Sequence, residues 1–450
     1  MTNASLEALL PDFARRMLHG RPLLQRLIGN SLWQVGDKVF RMGAGVLVSA
    51  YTARYLGPAN FGLLNFAVAF VTLFSAIAAF GLPSIVVRDL VMRPAERSGI
   101  LASALLLRLA GGAATIALAV ATTARLRPDD FSSLQVVFVI ALCTLPQAWD
   151  VIDYDYQARI HARPIIVARN LSFAAMAAAR VCLVLIGAPL VWFAWAILGE
   201  AVLAASLMIR QSHAEGMGIS PRTATWQEVG RLATSSWPLI IAGVSVSVYM
   251  RLDQVMLGQM LGDSGVGLFS AAVRISEALY FLPVAVAVTV APALTRAYHR
   301  STEEYEHRFL QITSLLVWIA LATAAVFAVF SKVIIRELYG PAYAGAAPVL
   351  AIHAWAGVLA SLGVCGNLWL TNAGYVKYAM YQTFAGAVVN ILLNLVLIRH
   401  FGVIGAALAT CAAQVACVLV TVATFRATRP LFRLQLAAFV PRFAGGILRR

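Results

Sequence analysis

Residues 54–62 read Arg54-Tyr55-Leu56-Gly57-Pro58-Ala59-Asn60-Phe61-Gly62 and run on into Leu63-Leu64-Asn65-Phe66-Ala67. A looser copy spans 261–272: Leu-Gly-Asp-Ser-Gly-Val-Gly-Leu-Phe-Ser-Ala-Ala. Leu56, Gly57, Gly62, Leu63 and Ala67 recur as Leu261, Gly262, Gly267, Leu268 and Ala272, at one constant offset of 205. Each copy lies between two apolar segments. The segment before it opens near a tryptophan, Trp33 or Trp237. A phrase repeated at about half the chain length predicts two similar lobes, and a two-lobed membrane chain points to a transporter.

Composition fixes the solvent. The chain is 60% hydrophobic and 12% charged, with a mean hydropathy of +0.79. Soluble domains carry about 25% charged residues. The apolar runs are continuous rather than alternating, so they read as helices and not as strands of a barrel. Crossing a bilayer core takes about 20 helical residues. Twelve spans are expected: 29–52, 60–82, 99–122, 131–152, 164–187, 189–209, 232–252, 264–290, 309–330, 346–370, 376–398 and 402–424. The fold class is therefore all-α, a polytopic membrane protein with two pseudo-symmetric six-helix lobes.

The net charge of +15 could suggest nucleic acid, but its distribution argues otherwise. With the N-terminus inside, the inner side collects 23 Lys/Arg and the outer side seven. That asymmetry is the positive-inside pattern, with both termini cytoplasmic. The basic residues from Arg426 to Arg450 read as topology signals and anionic-lipid contacts. Cys143, Cys182, Cys365, Cys411 and Cys417 fall in apolar spans without metal spacing, so no metal or other cofactor is expected.

The expected organisation is an amphipathic cytoplasmic segment at 1–28, a first lobe at 29–210, a linker at 211–230, a second lobe at 231–424 and a basic tail at 425–450. No loop is long enough to fold into an extramembrane catalytic domain. Gly258 and Gly262 fit GxxxG, but they straddle a helix end and read as turn chemistry.

Ala53-Arg54-Tyr55-Leu56-Gly57-Pro58, followed by Phe61-Gly62 after a polar first helix, resembles the bacterial O-antigen and polysaccharide flippases. These belong to the multidrug/oligosaccharidyl-lipid/polysaccharide exporter superfamily. Trp237-Pro238, Arg251-Leu252-Asp253-Gln254, Gly267-Leu268-Phe269-Ser270-Ala271-Ala272 and Gly402-Val403-Ile404-Gly405-Ala406-Ala407 support the likeness, which covers about 29–424. It implies two six-helix bundles around a cavity lined by the first and seventh helices. The implied activity is movement of undecaprenyl-diphosphate-linked oligosaccharide from the cytoplasmic to the periplasmic leaflet of a bacterial inner membrane. Implied partners are that lipid-linked sugar, membrane lipids and assembly proteins such as a polysaccharide polymerase.

Charges inside a membrane are costly, about 2.5–3.5 kcal/mol at a helix centre on insertion scales, so they face a partner or a cavity. The cations are Lys38, Arg41, Arg108, Arg180 and Arg274, with Arg54 and Arg251 at helix ends. The acids include Asp37, Asp150, Asp153, Glu200, Asp253 and Glu277. Arginine forks suit diphosphate oxygens. Arg41, Arg251, Arg274, Lys38, Arg54 and Arg180 are the candidate substrate-facing cations. Asp37, Asp253, Glu277 and Glu200 are candidates for ion coupling or internal pairing. Asp37 with Arg41, and Arg274 with Glu277, have pairing distance along a helix. Tyr249, Tyr280, Trp149, Tyr154 and Trp369 could face sugars or simply pack.

Two rival readings follow from single features. Asp153-Tyr154-Asp155 spells the DxD of nucleotide-sugar glycosyltransferases, but no soluble domain accompanies it. A multidrug/cation antiporter of the same fold would use the intramembrane acids. The arginines favour an anionic substrate. No catalytic motif is present, so the chain reads as a transporter and not an enzyme.

Overall fold

The computed structural model describes residues 22–79, 81–278 and 280–441, with side chains from 41 onward except those of 238, 241 and 242. Residues 1–21 of the expected amphipathic segment, the side chains of Asp37 and Lys38, and 442–450 of the tail lie outside the described residues. The described chain is helical. Its elements are α1 (Pro22–Ala79), α2 (Leu82–Met92), α3 (Arg97–Leu126), α4 (Phe131–Leu142), α5 (Val151–Ala158), α6 (Arg163–Leu185) and α7 (Leu190–Ala214). There follow α8 (Trp226–Met260), α9 (Asp263–Glu277), α10 (Phe281–Arg300), α11 (Thr302–Tyr339), α12 (Ala346–His353), α13 (Ala356–Asn372), α14 (Val376–Phe401), α15 (Val403–Val415), α16 (Thr421–Thr424) and α17 (Arg429–Ala437).

Ten stretches are long and apolar enough to cross a membrane. The first of them, 41–92, holds two crossings, because α1 is kinked at Gly57. The 35-residue α8 adds another. Twelve crossings result, as the hydropathy pattern predicts. We call the face expected to be cytoplasmic the inner face.

The boundaries differ in instructive ways. Hydropathy ends the seventh span at 252, but α8 continues to Met260. Arg251 therefore lies nine residues inside the helix end, about 13 Å along its axis, and is no outer-face residue. Two charges on an interior-facing strip mimic a span boundary in a hydropathy reading. The basic tail is more than a charged extension, because α17 docks Leu431, Leu434 and Gln435 against α11 and α13. The inner starts of α8 and α11 carry capping residues. Thr225 accepts from the Glu228 amide and Ser301 from the Glu304 amide, at 3.3 and 3.4 Å.

The repeated phrase does more than turn the chain. Gly57 and Gly262 share one backbone conformation, φ 72, ψ 169 and φ 78, ψ 179, which suits glycine. Five residues on, Gly62 and Gly267 meet the other copy reciprocally. A Cβ at Gly62 would stand 1.7 Å from the Asp263 carbonyl oxygen, and one at Gly267 would stand 2.0 Å from that of Pro58. The phrase is thus the point where the two halves cross backbone to backbone. A third copy, Gly340-Pro341-Ala342 with Gly345 five residues on, joins them. Gly340 adopts φ 86, ψ 176. Its neighbour Tyr343 donates to the Ala53 carbonyl at 2.9 Å and stacks edge-on to Phe61. Gly258 is also a packing glycine rather than a turn residue, since a Cβ there would meet the Phe66 ring at 2.5 Å.

The apolar cores follow this geometry. One continuous core joins both halves near the outer face and includes Phe61, Phe66, Phe269 and Tyr343. Toward the inner face it divides. Leu82, Leu101, Ile152 and Leu232 belong to one core, and Leu294, Phe309, Leu370 and Leu431 to another.

Candidate functional site

The charged residues of the spans gather beneath the outer crossing. A chamber of about 360 Å³ is lined by Arg41, Ser49, Phe61, Asn65, Phe173, Arg180, Glu200 and Arg274, among others. Arg41 and Ser49 come from α1, Arg180 from α6, Glu200 from α7 and Arg274 from α9. Glu200 holds two of the arginines. Its Oε2 accepts from Arg180 at 2.6 Å and its Oε1 from Arg41 at 3.5 Å. Arg41 also lies over the Phe173 ring, 5.5 Å from its centroid. Arg274 donates to Ser49 Oγ at 2.5 Å and sits within electrostatic reach of Arg180, Arg251 and Glu277. Among the described residues, three guanidinium groups against one carboxylate give the chamber lining a formal charge of +2.

A second chamber of about 320 Å³ adjoins the first through Arg41, Ile197 and Glu200. Gln147, Asp150 and Arg169 line it. Arg169 bridges Asp150 and Asp153 at 3.2 and 3.1 Å. Arg108, buried behind them, reaches Asp150 at 3.5 Å and the Tyr154 hydroxyl.

Asp253 of α8 is buried in the second half, with 5% exposure. Asn394 Nδ2 donates to it at 2.6 Å and Thr410 at 2.7 Å. Among the described residues no ion pair is formed to it. Asn394 also touches Asn390 Oδ1 at 3.0 Å, and its own Oδ1 is buried without a partner. Burial of a carboxylate with no ion pair is costly, and the two donated hydrogen bonds offset part of that cost. Among the described residues no cluster of three or more His, Cys, Asp or Glu forms a metal site.

Of the expected substrate-facing cations, Arg41, Arg180 and Arg274 line one chamber. Arg251 lies beside it, within electrostatic reach of Arg274. Arg54 goes elsewhere: it donates to the carbonyls of Arg336 and Glu337 and so caps the end of α11. Helical spacing pairs Arg41 with Asp37, whose side chain lies outside the described residues; among the described residues Glu200 holds Arg41. The DxD carboxylates are taken by arginines, Asp155 by Arg97 at 2.7 Å and Asp153 by Arg169. The five candidate sugar-facing aromatics are absent from the residues lining the two chambers, whose aromatic walls are Phe61 and Phe173. Ser49 and Asn65 carried no sequence signal beyond their polarity in an apolar span.

The model of the family described as polysaccharide biosynthesis protein matches residues 27–296. The chain belongs to this family. Those residues include α1, α6, α7 and α9, which build the arginine chamber. The model named MatE matches residues 238–396, which hold Asp253, Asn390 and Asn394. The polysaccharide biosynthesis chain is similar to the Haloferax volcanii protein named probable low-salt glycan biosynthesis flippase Agl15. The two are 28% identical over 173 residues, covering 38% of this chain and 36% of that protein. It is also similar to the probable flippase AglR of the same organism, 30% identical over 36% of this chain and 35% of that one. The chain thus spans about a third of the length of these relatives. In fold it is similar to an inward-facing multidrug transporter of the MATE family, with a TM-score of 0.72 and 15% identity over 89% of this chain and 96% of that one. The lipid II flippase MurJ in an inward closed conformation gives a TM-score of 0.70, with 14% identity over 91% of each chain.

Proposed function

We propose that this protein flips a lipid-linked oligosaccharide, with undecaprenyl diphosphate as its carrier, from the cytoplasmic to the periplasmic leaflet of a bacterial inner membrane. The observation that carries this reading is the chamber bearing Arg41, Arg180 and Arg274 against, among the described residues, a single carboxylate. A diphosphate diester carries about two negative charges, and arginine forks take its oxygens bidentately. The prenyl tail stays in lipid while the head group crosses. Two lobes, at 29–210 and 231–424, rock about the outer crossing in alternating access. Asp253 is the coupling group, exchanging a proton or sodium ion as the lobes move. The names of the relatives and the family description support a glycan substrate.

The test is reconstitution in vesicles with fluorescent undecaprenyl diphosphate oligosaccharide. Protein-dependent flipping is expected, and Arg274→Ala is expected to lower it at least tenfold, the scale of one charge-assisted hydrogen bond, about 1.5–3 kcal/mol. Absence of flipping under every imposed ion gradient would sink the proposal. Export of cationic drugs instead would favour the antiporter reading, for which the Asp253 site is the supporting feature.

A further inference from the structure

The two chambers share a wall, and Glu200 is its movable part. Arg41, Ile197 and Glu200 line both spaces. The two Glu200 oxygens are divided between Arg180 and Arg41. Its side chain keeps 21% exposure, so packing does not lock it.

We propose that Glu200 is a resident stand-in for the substrate's anion: the incoming diphosphate displaces it from Arg180 and Arg41, and its departure joins the two chambers into one glycan-binding space. This inference rests on the diphosphate reading above and deepens it. Charge favours it. With Glu200 displaced, the described lining of the arginine chamber offers three guanidinium groups to a diphosphate of about two negative charges. Ligand geometry favours it too. A diphosphate offers several oxygens to two forks, where one carboxylate offers a single oxygen to each. The displaced carboxylate has somewhere to go, because Gln147 and Arg169 line the far side of the wall. There a sugar next to the diphosphate meets Gln147, Asp150 and Arg169, which supply donors and acceptors for hydroxyl groups. Glu200 is in this view a positioning residue: it keeps Arg41 and Arg180 poised and excludes weaker anions.

The experiment measures binding of geranylgeranyl diphosphate to the full-length protein in detergent, with geranylgeraniol as the uncharged control. Glu200→Gln removes the competitor, and about tenfold tighter diphosphate binding is expected, the scale of one charge-assisted hydrogen bond. Arg180→Ala is expected to weaken binding at least tenfold. If Arg180→Ala behaves so but Glu200→Gln binds equally or more weakly, the stand-in role is overturned and the diphosphate reading stands. If the wild-type protein binds the diphosphate no better than the alcohol, both fall. A second measurement needs no substitution. Cys143 lines the second chamber and is buried. Its reaction with a small thiol reagent, resolved by mass spectrometry, is expected to rise several-fold on adding the diphosphate. Unchanged reactivity at saturating diphosphate overturns the joining of the chambers, whether or not Glu200→Gln folds.

Discussion

At the scale of single residues, two tasks fall to two sets of side chains in the proposed function. Arg41, Arg180 and Arg274 line one chamber, whereas Asp253 lies outside its lining among Asn390, Asn394 and Thr410. That separation makes an expected outcome specific. Asp253→Asn keeps shape and removes charge. Thr410 can turn its hydroxyl to accept, so the folding cost is small, about 1–2 kcal/mol. Flipping in vesicles is expected to lose its response to an imposed proton or sodium gradient, while diphosphate affinity changes less than it does in Arg274→Ala. A gradient response that survives the substitution would rule Asp253 out as the coupling group. The sequence makes these residues visible because ionisable groups in spans are rare and costly. It does not reveal their partners. Helical spacing offers Asp37 to Arg41 but gives no sign of Glu200, 159 residues away, to which Arg41 donates. Spacing describes one helix face, and tertiary packing chooses what that face meets. Arg54 shows the same limit from the other side, since a helix-end arginine gives no sign of which carbonyls it will cap.

At the scale of elements, the glycine phrases set the outer seal. Their recurrence was legible, as was their position between spans. Their contact was not, because one linear repeat cannot say that its copies touch. The third copy at Gly340 was hidden by having no repeat of Leu63 and Ala67 behind it. Gly62→Val forces carbon against a carbonyl in a joint with no slack, and overpacking of this kind costs about 1–3 kcal/mol. A lower melting temperature and new thiol labelling at Val48→Cys from the outer side are expected; Gly57→Ala instead strains a turn without wedging the crossing. Intact stability and no outer labelling in Gly62→Val would contradict the contact. The inner seal is built differently. Arg231 reaches Asp89 at 2.6 Å and Glu228 at 2.5 Å, and Arg93 reaches Glu228 at 3.0 Å. The Arg231 hydrogen bond, followed by that of Arg93, holds the Glu228 carboxyl below its ordinary range. A lowered carboxyl stabilises fully above its unfolded value of about 4.3 and loses that contribution as pH falls through its folded value. Protease cutting between 93 and 97 is therefore expected to be flat from pH 8 to pH 5 and to rise below about pH 4. Glu228→Gln should reduce that rise without removing it, because Asp89, which Arg231 and Arg93 also hold, still titrates.

At the scale of the whole molecule, the two ends of the bundle are held together by unlike means. The outer end is held by backbone crossing, by the shared apolar core and by Arg127, which joins Asp263 at 2.9 Å and the Gly258 carbonyl at 3.0 Å. The inner end has two separate cores, and ion pairs link the connection between α2 and α3 to the start of α8. Partly exposed ion pairs contribute about 1 kcal/mol or less each. Separating a packed apolar core costs far more, about 25 cal/mol for each Å² exposed. Separating the inner end therefore costs less than separating the outer one. Arg231→Ala removes two of the ion pairs at once. If the opening step is a two-state equilibrium, a loss of about 1–2 kcal/mol raises the open population roughly five- to thirtyfold while that population is small. A thiol at Val48→Cys, in the wall of the arginine chamber, reports the opening. Combined with Arg231→Ala, its labelling by an impermeant reagent is expected to rise from the inner side and stay unchanged from the outer side. The double exchange Arg231→Glu with Glu228→Arg restores one attractive pair, but it sets a carboxylate in place of the guanidinium that faces Asp89. It should close the inner end only in part. Equal rises from both faces would mean that the seals are coupled and that outer packing is no stronger than the inner salt bridges.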